Sequence, residues 1–81
     1  MAINVRKADR DRYLRKAYEA CAGDVEKVLV WDELGLELGM DETLTELVVN
    51  HLIGERLLRF RFFFGGTLSP AGLARAQRED C

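Results

Sequence analysis

The sequence predicts a mainly α fold carrying a small antiparallel β-hairpin, and three stretches carry that expectation. A helical pattern without Gly or Pro runs from Glu42 to Ile53, set off from a shorter helix by a corner at Gly39. Leu58, Phe60 and Phe62 then alternate with Arg59 and Arg61, the period of two of a half-buried strand, and Gly65-Gly66 reads as the hairpin turn. Ser69-Pro70 opens a further helix, with Ser as N-cap and Pro at the first helical position, where its missing N–H costs nothing.

Taken in order, residues 1–8 read as a flexible arm, in which Ile3 and Val5 could add a short strand. A single domain spans 9–81. Its first helix covers 9–22, because Leu14, Ala17, Tyr18 and Cys21 fall at i, i+3, i+4 and i+7. Gly23 is the expected C-cap. Asp24 to Lys27 is a loop or a single turn, and Val28-Leu29-Val30 is a short β segment able to pair with the hairpin. Asp32 is expected to cap a helix over 32–39, in which Leu34 and Leu38 share a face. Gly39 ends it in a left-handed conformation, Met40 plugs the corner, and Asp41 caps a helix over 42–54. Two short helices around a Gly-containing corner form a helix-turn-helix unit. The hairpin covers 57–68 and the last helix 69–78. The order is helix, strand, helix, helix, strand, strand, helix.

Composition bounds the function. Eighty-one residues allow one small domain, and a 48% hydrophobic fraction supplies its core. No apolar run is long enough to span a membrane. The segment from Met1 to Arg12 is too polar and charged for a signal peptide. Two cysteines, Cys21 and Cys81, make no disulfide framework, so a reducing, cytoplasmic setting is expected.

In this order and spacing the chain resembles the small bacterial and archaeal winged helix-turn-helix domains over nearly its whole length. The resemblance rests on Trp31-Asp32-Glu33-Leu34 and Glu37-Leu38-Gly39-Met40-Asp41 for the helix and its turn, and on Val48, Val49 and Leu52 for the core side of the following helix. Leu57-Leu58 matches the entry to the wing, and Leu68-Ser69-Pro70-Ala71-Gly72 the opening of the closing helix. The chain departs from that pattern at one point: Arg56 stands where the family usually has a Gly before the wing, and Gly54 comes two residues early.

The resemblance implies double-stranded DNA as a partner, with the second helix of the unit in the major groove and the wing on the backbone. The groove-facing positions would then be Glu42, Thr43, Glu46, Leu47, Asn50 and His51. Asn50 can read adenine bidentately, and Thr43 can bond a base or a phosphate. The two glutamates would be repelled by phosphate, and no Lys or Arg lies between Leu38 and Glu55. Charge is segregated on a larger scale. Residues 1–18 carry six basic against two acidic side chains, residues 19–55 carry Lys27 against ten acids, and residues 56–81 carry five Arg against two acids. A DNA surface needs clustered cations. The candidates are Arg6, Lys7 and Arg10 in the basic N-terminal segment and Arg59 and Arg61 on the wing, each of which also reads as an ordinary solvated charge.

The same helix also suggests a protein partner or a homodimer. Its apolar arc, from Leu44, Leu47, Val48, Val49, Leu52 and Ile53, spans roughly 240°, against the ~100° a surface helix needs. Candidate interaction residues are Leu36, Leu47, His51, Ile53, Phe63 and Phe64, with cover by the first and last helices as the plain alternative.

No enzyme is read from the sequence. His51 is the only histidine and has no nucleophile or carboxylate assigned to it. Cys21, His51 and Cys81 lack zinc-ligand spacing, and Phe64-Gly65-Gly66-Thr67 lacks the Lys-Ser/Thr of a phosphate loop. Asp32-Glu33 and Asp41-Glu42 serve helix N-termini before they serve a metal. Trp31 is expected in the core with its N–H at the rim. No cofactor, metal or small-molecule substrate is implied. The DNA reading stands first, on the wing arginines and basic arm, and the protein-interaction module stands beside it.

Overall fold

The computed structural model describes residues 6–62 and 64–79. Residues 1–5 of the expected arm, the interaction candidate Phe63 and the terminal Cys81 lie outside that set. Among the described residues the fold is mixed α+β, with four helices and a three-stranded antiparallel sheet. The elements run α1 (Lys7–Cys21), β1 (Leu29–Val30), α2 (Trp31–Glu37), α3 (Glu42–Gly54), β2 (Leu58–Phe62), β3 (Gly65–Leu68) and α4 (Pro70–Glu79).

Helix α1 begins at Lys7, two residues earlier than expected, so Lys7 and Ala8 belong to it rather than to an arm. The Lys7 ammonium pairs with Asp11 one turn on at 2.8 Å, and Arg10 N–H already bonds the Arg6 carbonyl. The helix ends at Cys21, and Ala22 rather than Gly23 is its left-handed cap (φ 53°), with Gly23 continuing at φ 82°. Helix α2 starts at Trp31, not Asp32. The Trp31 N–H is spent on the Phe64 carbonyl, so strand β1 runs straight into the helix and Asp32 sits in the first turn without capping it. The last turn closes at Glu37, and Gly39 takes the expected left-handed conformation at φ 75°.

Asp41 caps α3 as expected: its Oδ1 accepts the Leu44 N–H at 2.7 Å. At the other end Arg56 itself takes φ 63°, which lets Leu57 N–H reach back to the Leu52 carbonyl. Ser69 caps α4 by accepting the Gly72 N–H at 2.9 Å, and its hydroxyl donates to the Arg56 carbonyl at 2.7 Å.

The sheet order is β1-β3-β2, so β3 is central. Leu29 and Val30 pair with Gly66 and Gly65, as the sequence allowed. The same two glycines also face Phe60 and Phe62 of β2. Gly65-Gly66 is therefore strand and not turn, which corrects the expectation. A side chain at Gly65 would run into the Leu29 carbonyl, and one at Gly66 into the Arg59 carbonyl. Strand β2 is corrected too. Leu58 is buried, but Phe60 and Phe62 are exposed, because their cross-strand partners are glycines with no side chain to cover them and the pairing slips between 60 and 62.

One core joins the layers. Tyr13, Leu14, Ala17 and Cys21 of α1 meet Leu34, Val48, Val49 and Leu52 of the two central helices, and Leu58 and Leu68 of the sheet. Tyr18 is only half-buried. The wide apolar arc of α3 is largely covered: Val48, Val49 and Leu52 are buried, and Leu44 and Ile53 pack partly against the core. No helix is long and apolar enough to cross a membrane among the described residues.

Candidate functional site: an acidic, aromatic groove

Residues Glu42, Thr45, Glu46, Val49, Asn50 and Ile53 recur at three and four along α3 and so form one stripe. Facing it are Trp31 and Asp32 from the start of α2, Phe60 from β2 and Phe64 from the hairpin tip. Together they enclose a groove of about 290 Å³, near the lower bound of small-molecule pockets at roughly 300 Å³. Asp32, Glu42, Glu46 and Asn50 are exposed, and Val49, Thr45 and Trp31 are buried. Phe62 stacks on Phe64 at 5.2 Å between ring centroids, with the rings 7° from parallel. Among the described residues no Lys, Arg or His lines the groove.

The sequence candidates are scattered over the surface. Asn50 lines the groove, and Thr43 is exposed on the neighbouring stripe of α3. Arg59 lines a separate cleft of about 450 Å³ with Arg56, Ser69 and Pro70, and Arg61 is exposed further along β2. Neither Arg59 nor Arg61 makes an ion pair among the described residues. Arg6 is exposed, whereas Lys7 is paired with Asp11. Arg10 reaches Glu55 at 3.3 Å and His51 at 2.7 Å. Of the interaction candidates, Ile53 and Phe64 line the groove, Leu36 stands 77% exposed on α2 and Leu47 is half-buried.

His51 is exposed in a polar cluster rather than set among apolar side chains. Its Nε2 lies 2.7 Å from Arg10 Nη1 and 2.9 Å from Glu55 Oε1. Unprotonated, that nitrogen accepts from the guanidinium; protonated, it donates to the carboxylate. The cluster ties the start of α1 to the end of α3.

The charges of α1 are mostly spent inside the molecule. Arg12 donates to the Leu38 carbonyl at 2.8 Å and lies 3.6 Å from Asp9, and Lys16 meets Glu37 at 3.3 Å. Basic α1 thus neutralises Glu37 and Glu55 at the back of the acidic central helices. Among the described residues the acids at the groove, Asp32, Glu42 and Glu46, receive no such cover.

Sequence reasoning missed Phe60, Asp32 and Trp31 as groove residues. The available signal was the pair Gly65-Gly66, which strips the cover from any aromatic opposite it. Among the described residues no group of three His, Cys, Asp or Glu is placed to hold a metal ion. Comparison with protein-family models, with curated proteins and with solved structures gives no match.

Proposed function

We propose that this chain is a non-enzymatic winged-helix module that docks to protein through the groove between α3 and the β2–β3 hairpin. One observation carries the reading. The α3 face that would enter a DNA groove presents Glu42, Glu46 and Asn50 beside exposed aromatic rings, with no cation among its lining residues. Phosphates would be repelled from such a face, while aromatic side chains rimmed by polar groups are what protein interfaces select. The buried free thiol of Cys21 fits a reducing, cytoplasmic setting.

The DNA reading is the second one, favoured by exposed Arg59 and Arg61 on β2. A single experiment separates the two: duplex DNA is titrated at low and at moderate salt while light scattering records the protein's mass. The docking reading expects no DNA binding even at low salt. Binding that weakens steeply with salt and vanishes in Arg59→Ala plus Arg61→Ala would overturn it.

A further inference from the structure

We propose that the occupant of this groove is a cationic peptide segment of a partner protein, with Lys or Arg flanking an aromatic or aliphatic anchor. The inference rests on the protein-docking reading and adds the chemistry of the partner.

Charge complementarity carries it first. Asp32, Glu42 and Glu46 make no ion pair among the described residues, although α1 supplies partners to Glu37 and Glu55 on the other side of the same helices. Three carboxylates without an ion pair thus rim the groove. Shape and polarity carry it next. Phe60, 60% exposed, and Phe64 face Val49 and Ile53 across the groove, a slot for an apolar side chain. Trp31 in the same wall is buried, so its ring reports on the groove from beneath.

A second copy of the chain fits less well. The longer of the two edge strands is β2, and antiparallel pairing of β2 about a twofold on Phe60 sets Arg59 opposite the other copy's Arg61. Nucleic acid brings the wrong charge.

The test is selection from a random peptide library displayed on phage against the immobilised whole chain. Enriched peptides are then titrated in solution with the emission of Trp31, the single tryptophan, as the readout. Enriched peptides are expected to carry Lys or Arg around one apolar anchor and to shift that emission. Their affinity should fall about five- to tenfold in Glu42→Gln plus Glu46→Gln, two exposed changes whose folding is checked by circular dichroism. Phe60→Ser should weaken binding at all salt concentrations, and Arg59→Lys plus Arg61→Lys, which keeps the edge charge, should leave it unchanged. Enrichment of uncharged or acidic peptides that still shift Trp31, or indifference to the double Gln variant, would overturn the cationic occupant and leave protein docking standing. No enriched peptide, with a dimeric mass that Phe60→Ser dissolves, would assign the groove to a second copy. No enriched peptide with a monomeric mass would overturn the cationic occupant outright. Duplex DNA that binds and displaces the peptides would overturn both readings.

Discussion

The Tyr13 hydroxyl donates a 2.8 Å hydrogen bond to the Trp31 carbonyl inside the core, joining the middle of α1 to the first residue of α2. Burial, with a smaller push from the Asp32 carboxylate, raises the phenol well above its ordinary value of about 10. Through Trp31, the bond also holds the wall of the groove.

Replacing Tyr13 with Phe removes that bond and leaves the ring's packing in place. The expected loss is about 1–2 kcal/mol at neutral pH, measured by urea denaturation. The pH dependence has a definite sign. Above about pH 10 the unfolded chain loses the phenolic proton while the folded chain keeps it, so the native protein loses stability as pH rises, by up to about 1.4 kcal/mol per pH unit. Tyr13→Phe lacks this slope, so the gap between the two proteins should narrow above pH 10. A gap constant from pH 7 to 11 would contradict the assignment.

Opposite signs are expected for two Gly→Ala changes. At Gly65 the new methyl group meets the Leu29 backbone carbonyl, which cannot withdraw without breaking the β1–β3 pairing. Gly65→Ala should therefore cost more than about 3 kcal/mol. At Gly54, the last residue of α3, nothing lies within 4 Å of the added atom. Gly54→Ala should raise stability by about 0.5–1 kcal/mol. Thermal melts of the two variants check both signs.

These glycines mark where the sequence stopped being legible. Asp41, Gly39 and Ser69 were readable because each acts on a backbone group within three residues of itself. Gly65-Gly66 was not, because turn glycines and strand glycines are written alike, and only the pressure of β1 and β2 on either side of β3 decides between them. Periodicity gave Phe60 and Phe62 a common face without saying whether that face is covered. The groove was illegible for the same reason. It is assembled from α2, α3, β2 and the hairpin tip, and Asp32 and Trp31 each had a sufficient local explanation as cap and as core. Within α3 the outward face was half legible: Glu42, Glu46 and Asn50 do line the groove, but beside Thr45, Val49 and Ile53 rather than beside Thr43, Leu47 and His51.

The two serviceable caps should differ in cost. Asp41 makes one exposed cap bond, to Leu44 N–H, so Asp41→Ala should cost about 1 kcal/mol. Ser69 is buried and its one oxygen serves two partners, accepting from Gly72 N–H and donating to the Arg56 carbonyl. Ser69→Ala strands both, and about 2–3 kcal/mol is expected. Equal losses for the two variants in chemical denaturation would show that the Ser69–Arg56 bond contributes nothing.

Arg59 and Arg61 lie on the exposed edge strand of the sheet, where charge guards against strand-to-strand pairing. Antiparallel pairing of two β2 strands about Phe60 sets Arg59 against the other copy's Arg61, and like charges directly opposite are destabilising. Arg59→Thr plus Arg61→Thr removes the repulsion while keeping strand-forming side chains, so its mass in light scattering should rise with concentration. Arg59→Glu plus Arg61→Glu keeps the repulsion with the sign reversed and should gain no association. Mixing that acidic variant with the unchanged protein sets Arg opposite Glu at both positions, so a mixed dimer is expected at low salt. A mixture that stays unassociated, with the Thr variant no larger than the parent, would mean that the edge is closed by its bulge and twist and not by its arginines.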